Sequence, residues 1–248
     1  MPILEIRGLS KDFRGFRAVD QVDLDVAAGT VHAIVGPNGA GKTTFFNLLT
    51  GFLKPTEGHI LLDGKDVTGL PPEQMAKRGM ARSFQITSLF EPLTVVEHLA
   101  LALQASTGLG YRFWQSERVL AQFRARALAI LDQVGLAEVA DREVHSLPYG
   151  QKRALEVALV LALEPRLMLL DEPTSGMGLE DVDRMIALIR RVREGRTVVL
   201  VEHNMGVVSS LADRVTVLQY GRVIADGPYE QVRNDPQVIE AYLGHAQA

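Results

Sequence analysis

The sequence predicts an α/β fold in which a mainly parallel sheet carries an antiparallel β subdomain near its start and an inserted α-helical subdomain in its middle. Three observations lead there. Apolar, strand-like runs at 31–35, 167–170 and 197–201 alternate with helical patterns, as parallel strands joined by right-handed crossovers do. Residues 3–6 and 22–26 instead alternate apolar and polar positions, the pattern of half-buried antiparallel strands. From about 95 to 162 the periodicity is helical and β-branched runs are scarce.

In chain order, Val31-His32-Ala33-Ile34-Val35 reads as a buried strand running into a glycine-rich loop. Thr43 to Thr50 opens a helix that Gly51 stops, and His59 to Asp63 is a strand entering an Asp63-Gly64 hairpin turn. After the helical middle come the strand 167–170, a helix over 180–192 and the strand 197–201. Val215–Leu218 and Arg222–Ala225 bracket Tyr220-Gly221 as a hairpin, and a short helix follows Asn234-Asp235-Pro236.

At 248 residues this is one large domain, or a core with a smaller subdomain. A chain with 47% hydrophobic and 23% charged residues falls in the soluble globular range. There is no cysteine, which excludes disulfides, thiolate metal sites and cysteine nucleophiles together. A net charge of −4 argues against non-specific nucleic-acid binding. The opening Met1-Pro2-Ile3-Leu4-Glu5 lacks the basic region of a secretory signal. The most apolar stretch, 157–170, is interrupted by Glu164-Pro165-Arg166, short of the roughly 20 apolar residues a spanning helix needs.

Gly36-Pro37-Asn38-Gly39-Ala40-Gly41-Lys42-Thr43 matches G-x-x-x-x-G-K-[ST] between a strand and a helix, the context that pattern requires. The glycines let backbone N–H groups turn around a β-phosphate, and the helix N-terminus, with Thr44 in its first turn, adds positive charge. Lys42 reaches the β/γ-phosphates and the Thr43 hydroxyl binds Mg²⁺. The competing reading is a structural glycine-rich turn. Leu167-Met168-Leu169-Leu170-Asp171-Glu172 brings two carboxylates to the C-terminal end of a buried strand, where open α/β sheets bind ligands. Asp171 suits Mg²⁺ and Glu172 suits a general base; a solvated Asp-Glu pair is the alternative.

Two further segments narrow this. Leu147-Pro148-Tyr149-Gly150-Gln151-Lys152-Arg153 precedes a helix, and Val201-Glu202-His203 ends the strand after the carboxylates. With Arg82-Ser83-Phe84-Gln85, their order resembles the ATP-binding-cassette family across essentially the whole chain. The resemblance implies a P-loop NTPase (RecA-like) core over about 1–90 and 163–248, with a helical subdomain over about 91–162. It implies that Tyr149, Gly150 and Gln151 form a signature loop capping the ATP of a second ATP-binding subunit, whether a homo- or a heterodimer. Gln85 becomes a Q-loop residue that senses metal and water, and His203 a switch histidine beside Glu172. Phe13 either stacks on adenine or is a core residue, and His203 without the ordered motifs would read as structural. Where the commonest signature has Ser and Gly this chain has Pro148 and Tyr149, and Gly178 stands where Asp is frequent.

The variant signature, Gly176-Met177-Gly178, Val201-Glu202-His203-Asn204-Met205 and the ending Val238-Ile239-Glu240-Ala241-Tyr242-Leu243-Gly244 resemble ATP-binding subunits of branched-chain amino-acid importers. Urea and other amide importers share most of the pattern. The implied role is ATP hydrolysis with Mg²⁺, energising a partner transmembrane permease and, indirectly, a solute-binding protein. The implied place is peripheral, on the cytoplasmic face of the plasma membrane. A soluble cassette not coupled to transport is the alternative from another class. Such proteins use paired cassettes, a long coiled-coil insertion or a basic surface, whereas this chain has one cassette, no heptad run and excess acid. Leu89 and Phe90, after Gln85, are read as the surface that receives the permease.

Overall fold

The computed structural model describes residues 1–83, 89–106 and 116–243. The chain opens with the strands β1 (Pro2–Phe13) and β2 (Phe16–Ala27), followed by β3 (Val31–Val35) and the helix α1 (Lys42–Leu49). Next come β4 (Glu57–Leu62), β5 (Lys65–Asp66), α2 (Pro72–Lys77) and β6 (Met80–Arg82). The helical middle holds α3 (Val95–Ser106), α4 (Ser116–Gln133) and α5 (Tyr149–Leu161). The remainder is β7 (Leu167–Asp171), α6 (Leu179–Val192), β8 (Thr197–Val201), α7 (Met205–Leu211), β9 (Arg214–Gln219), β10 (Arg222–Gly227), α8 (Tyr229–Arg233) and α9 (Pro236–Leu243).

Two sheets form. One is antiparallel, ordered β2-β1-β4-β5; the other is ordered β10-β9-β3-β8-β7-β6 and is parallel except for β10. β3, β7 and β8 are buried at every position, because both faces of their sheet are covered. Val31, Ala33, Val35, Met168, Leu170, Val198 and Leu200 pack toward the helices of the middle and C-terminal segments. The alternate residues Ile34, Leu167, Leu169, Val199 and Val201 pack toward α1 and the antiparallel sheet. That explains why these strands read as unbroken apolar runs.

Local chemistry sets the ends. Asp63 and Gly64 both have positive φ, 48° and 70°, and turn β4 into β5 as the Asp-Gly pair predicts. Thr94 and Glu97 cap α3 reciprocally: Thr94 N–H donates to Glu97 Oε2 over 2.9 Å and Glu97 N–H to Thr94 Oγ1 over 3.3 Å. β1 and β2 are much longer than the alternating cores 3–6 and 22–26, and β6 has no counterpart in the sequence reading. Three residues are too few to show a period. The register pairs Ile34 with Val201 and Asp171 with Val201, so the chain leaves β3, β7 and β8 along one edge of the sheet. The site is built on that edge.

Candidate active site

The loop from Gly36 to Gly41 joins β3 to α1, and its glycines are required by contact as well as by dihedral angle. A Cβ on Gly36 would run into the Leu218 carbonyl oxygen, and one on Gly41 (φ 95°) into that of Ala18. Gly39 (φ 78°) and Asn38 are at the open rim, while Pro37 and Ala40 are buried. Ala40 N–H donates to Pro37 O over 3.2 Å, and Gly221 N–H to Ala40 O over 2.9 Å. The first intrahelical acceptor is Gly41 O, taken by Phe45 N–H over 2.8 Å. The N–H groups of Lys42, Thr43 and Thr44 therefore face outward from the helix end, where no acidic side chain offsets their charge. Lys42 Nζ donates to Gly36 O and Pro37 O over 2.6 and 3.0 Å. Burial pulls the Lys42 ammonium below the usual lysine range, opposed by the charge of Glu172. Thr43 is exposed and Thr44 half-buried beside it.

Asp171 ends β7 at 2% exposure, and its Oδ2 accepts from Arg82 over 2.7 Å. Arg82 also donates to Asn47 Oδ1 over 2.5 Å and Thr50 Oγ1 over 3.2 Å, and lies over the rings of Phe46 and Phe52. Glu172 adopts the left-handed region (φ 46°), with its N–H held by Val201 O over 2.9 Å. His203 Nδ1 stands 3.9 Å from Glu172 Oε1. This brings the expected base and the expected histidine together.

Glu202, absent from the sequence-level site, is what fixes that geometry. Its buried carboxylate accepts from Thr174 N–H (3.1 Å) and Thr174 Oγ1 (2.6 Å) on one oxygen. The other oxygen accepts from the N–H groups of His203 (3.1 Å) and Asn204 (3.4 Å). Charge-assisted bonds of this kind are the strong ones. They tie the loop after Glu172 to the loop carrying His203. Asn204 then caps α7 through Gly206 and Val207. An acid at the end of an apolar strand, next to a candidate histidine, is the signal that could have found Glu202.

The Tyr149-Gly150-Gln151 segment opens α5, with Pro148 at the cap rather than inside the first turn and supplying no side-chain acceptor. Tyr149 Oη donates to Ser175 O over 3.0 Å and accepts from Arg153 Nε over 3.0 Å. The nearest neighbours of a Cβ on Gly150 would be the Asp181 carboxylate atoms of α6, at 2.7–2.9 Å. Gln151 Oε1 is buried. Phe13 is 42% exposed at the β1–β2 hairpin tip with Lys11 Nζ 5.3 Å above its ring, so it is not the core residue of the alternative reading. Gln85 lies outside the described residues.

Among the described residues no group of three or more acidic or histidine side chains could hold a metal alone. The donor set nonetheless suits Mg²⁺, which keeps several waters and takes one or two protein ligands besides phosphate oxygens. Thr43 Oγ1 and Asp171 are of that kind, with Asp171 already shared with Arg82.

Comparison with known proteins gives matches of the same sense along the chain. Residues 19–175 match the family described as "ABC transporter", and residues 222–248 the family described as "Branched-chain amino acid ATP-binding cassette transporter". The chain is 42% identical over 255 residues to the high-affinity branched-chain amino acid transport ATP-binding protein BraF of Pseudomonas aeruginosa, covering 99% of each. A crystal structure of the ADP conformation of an ATP-binding cassette of an ABC transporter matches with a TM-score of 0.87 at 30% identity, over 98% of this chain and 99% of that one. A dimeric post-hydrolysis state of an ATP-binding cassette, bound to ADP and Pi, matches with a TM-score of 0.75 at 26% identity, over 91% and 98%. Sequence relatives and structural neighbours agree along nearly the whole length, and the chain belongs to the ABC transporter family, as one of its ATP-binding proteins.

Proposed function

We propose that the chain binds ATP on the loop 36–43 and hydrolyses it to energise import of branched-chain amino acids through a partner permease. The observation that carries the chemistry is the convergence of Lys42, Glu172 and His203 on one sheet edge. Glu172 is near enough to bias the Lys42 ammonium and stands 3.9 Å from His203 Nδ1. Lys42 and the N–H groups at the start of α1 bind the phosphates. Glu172 takes the proton of the attacking water at its carboxylate, and the His203 ring orients that carboxylate and the water. Thr43 Oγ1 and, through water, Asp171 would hold Mg²⁺, which when bound would supply neutralisation of phosphate charge.

The substrate assignment rests on the 42% identity to BraF and on the family matched by 222–248. Urea or another amide is the second candidate. We place the protein peripherally at the cytoplasmic face of the membrane, on permease subunits; among the described residues no helix is long and apolar enough to cross it. Phe90, 66% exposed, is kept as part of the docking surface, while Leu89 is half-buried against the core. The division into a core, 1–90 and 163–248, and a helical subdomain, 91–162, belongs to this reading.

The signature helix presents a second set of outward N–H groups at Tyr149–Gln151. Two protomers arranged head to tail let each helix cap the γ-phosphate on the other's loop. The dimeric neighbour is consistent with that arrangement. The test is Glu172→Gln, which keeps shape and cannot take the proton. Light scattering is expected to show Mg-ATP shifting it from monomer to dimer and ADP returning it. Bound ATP with no mass change at high protein concentration and low salt overturns the sandwich. Uptake of leucine but not urea by vesicles holding the assembled transporter tests the substrate.

A further inference from the structure

Tyr149 stands where the family's commonest signature has glycine, and its surroundings are not those of a surface aromatic. Although 44% exposed, it is held three ways: its hydroxyl donates to Ser175 O over 3.0 Å, accepts from Arg153 Nε over 3.0 Å, and its ring lies 5.4 Å from the Arg153 guanidinium. Arg153 is itself buried and paired with Glu156 over 2.9 Å, so its direction is set. A cation donating into a hydroxyl polarises it and strengthens the bond that hydroxyl donates onward. The acceptor, Ser175 O, belongs to a residue whose own N–H donates to Glu172 O over 3.1 Å. Gly176 (φ 77°) lies so close that a Cβ there would stand 3.3 Å from Tyr149 Oη. Four residues are thus strung in series: Tyr149 to Ser175 to Glu172, and Glu172 across 3.9 Å to His203.

We propose that Tyr149 is a positioning residue, a latch that makes the orientation of Glu172 depend on the signature helix of the same protomer. It is the first residue of α5, so a displacement of the helix end on gripping an anion is carried by the Tyr149 hydroxyl into the loop 173–177. That loop bonds back to Glu172, in the left-handed region, through the Ser175 N–H. The consequence is communication between two nucleotides: the phosphate a protomer caps on its partner adjusts the base acting on its own. This rests on the two-protomer reading given under the proposed function.

The experiment compares the full chain with its Tyr149→Phe variant, which keeps the ring over Arg153 and removes only the hydroxyl. In Tyr149→Phe, amide exchange at 174–177 is expected to quicken about tenfold, the loss of one hydrogen bond. Turnover is expected to fall by about the same factor with KM for ATP held, beyond the drop of about 2–4 °C in melting temperature per kcal/mol that a lost hydrogen bond brings in any role. In the Glu172→Gln background, the Mg-ATP-dependent dimer is expected to persist with the hydroxyl removed. A merely structural tyrosine would lower the melting temperature and leave turnover in place. Unchanged exchange and turnover overturn the latch. Absence of an ATP-dependent dimer in Glu172→Gln overturns the sandwich instead, and the exchange arm, read without nucleotide, still decides the latch.

Discussion

Arg82 and Asp171 form an ion pair across neighbouring strands, 2.7 Å apart, with side chains only 11% and 2% exposed. The guanidinium ties β7 to α1, because it also bonds Asn47 in α1 and Thr50 at the end of that helix. Arg82→Met would leave a carboxylate buried with no cation, a loss on the order of 3–5 kcal/mol. Urea denaturation is expected to show it. Arg82→Met with Asp171→Asn should recover most of the loss, since no lone charge remains. Arg82→Lys should fall between, because an ammonium cannot span Asp171, Asn47 and Thr50 together.

Lys42→Ala should remove tight Mg-ATP binding and leave the fold standing. Its present bonds are to the carbonyls of its own loop, Gly36 and Pro37, and its burial opposes its charge. Loss of a charge-assisted contact to phosphate of about 3 kcal/mol corresponds to about 100-fold weaker affinity. Calorimetric titration checks the affinity and thermal melting checks the fold.

Gly150→Ala should separate stability from turnover. In α5 the methyl gains about 1 kcal/mol of helix propensity, and the Asp181 carboxylate must swing aside to admit it. Melting is expected to stay within about 1 kcal/mol of the wild type by that balance. Turnover should drop on the order of 10–100-fold, as a Cβ blocks backbone approach to a phosphate. Measuring both on one preparation distinguishes a packing glycine from one that admits an anion.

His32 supplies a pH dependence. It is fully buried on β3, its Nε2 2.7 Å from Thr216 Oγ1, and burial pulls it down to about 4. Asp226 opposes that shift and Arg214 adds to it. Between that value and the ordinary 6.5, the unfolded chain binds a proton that the folded one refuses, so stability rises with pH across this window and falls on acidification. The full effect is on the order of 3 kcal/mol, reached below about pH 4. His32→Gln should flatten the acid limb of a stability profile recorded by denaturant titration.

Much of this was legible in the chain where function is contiguous. The phosphate loop, its strand and its helix occupy 31–49 without a break, and the Asp63-Gly64 turn declares itself in two residues. What could not be read are pairings made across the fold. Arg82 reaches Asp171, Tyr149 reaches Ser175, and Thr174 reaches Glu202, each through a side chain whose partner lies far along the sequence. Type and spacing say nothing of such meetings.

The backing of the phosphate loop has a consequence for how the protein is made. Gly36 and Gly41 rest against carbonyls of Leu218 and Ala18, and Ala40 is held by Gly221, whose own carbonyl accepts from Asp20. β3, which carries the loop, lies between β8 and β9, both drawn from the last quarter of the chain. A ribosome therefore delivers the nucleotide-binding motif and its Ala18 backing early, and its other supports nearly last. Until β8 has emerged the strand has neither neighbour, and until residue 221 the loop lacks the Leu218 and Gly221 side of its floor, with only the Ala18 side already made. A product cut short before residue 218 carries the whole motif without the Leu218 and Gly221 contacts that back it.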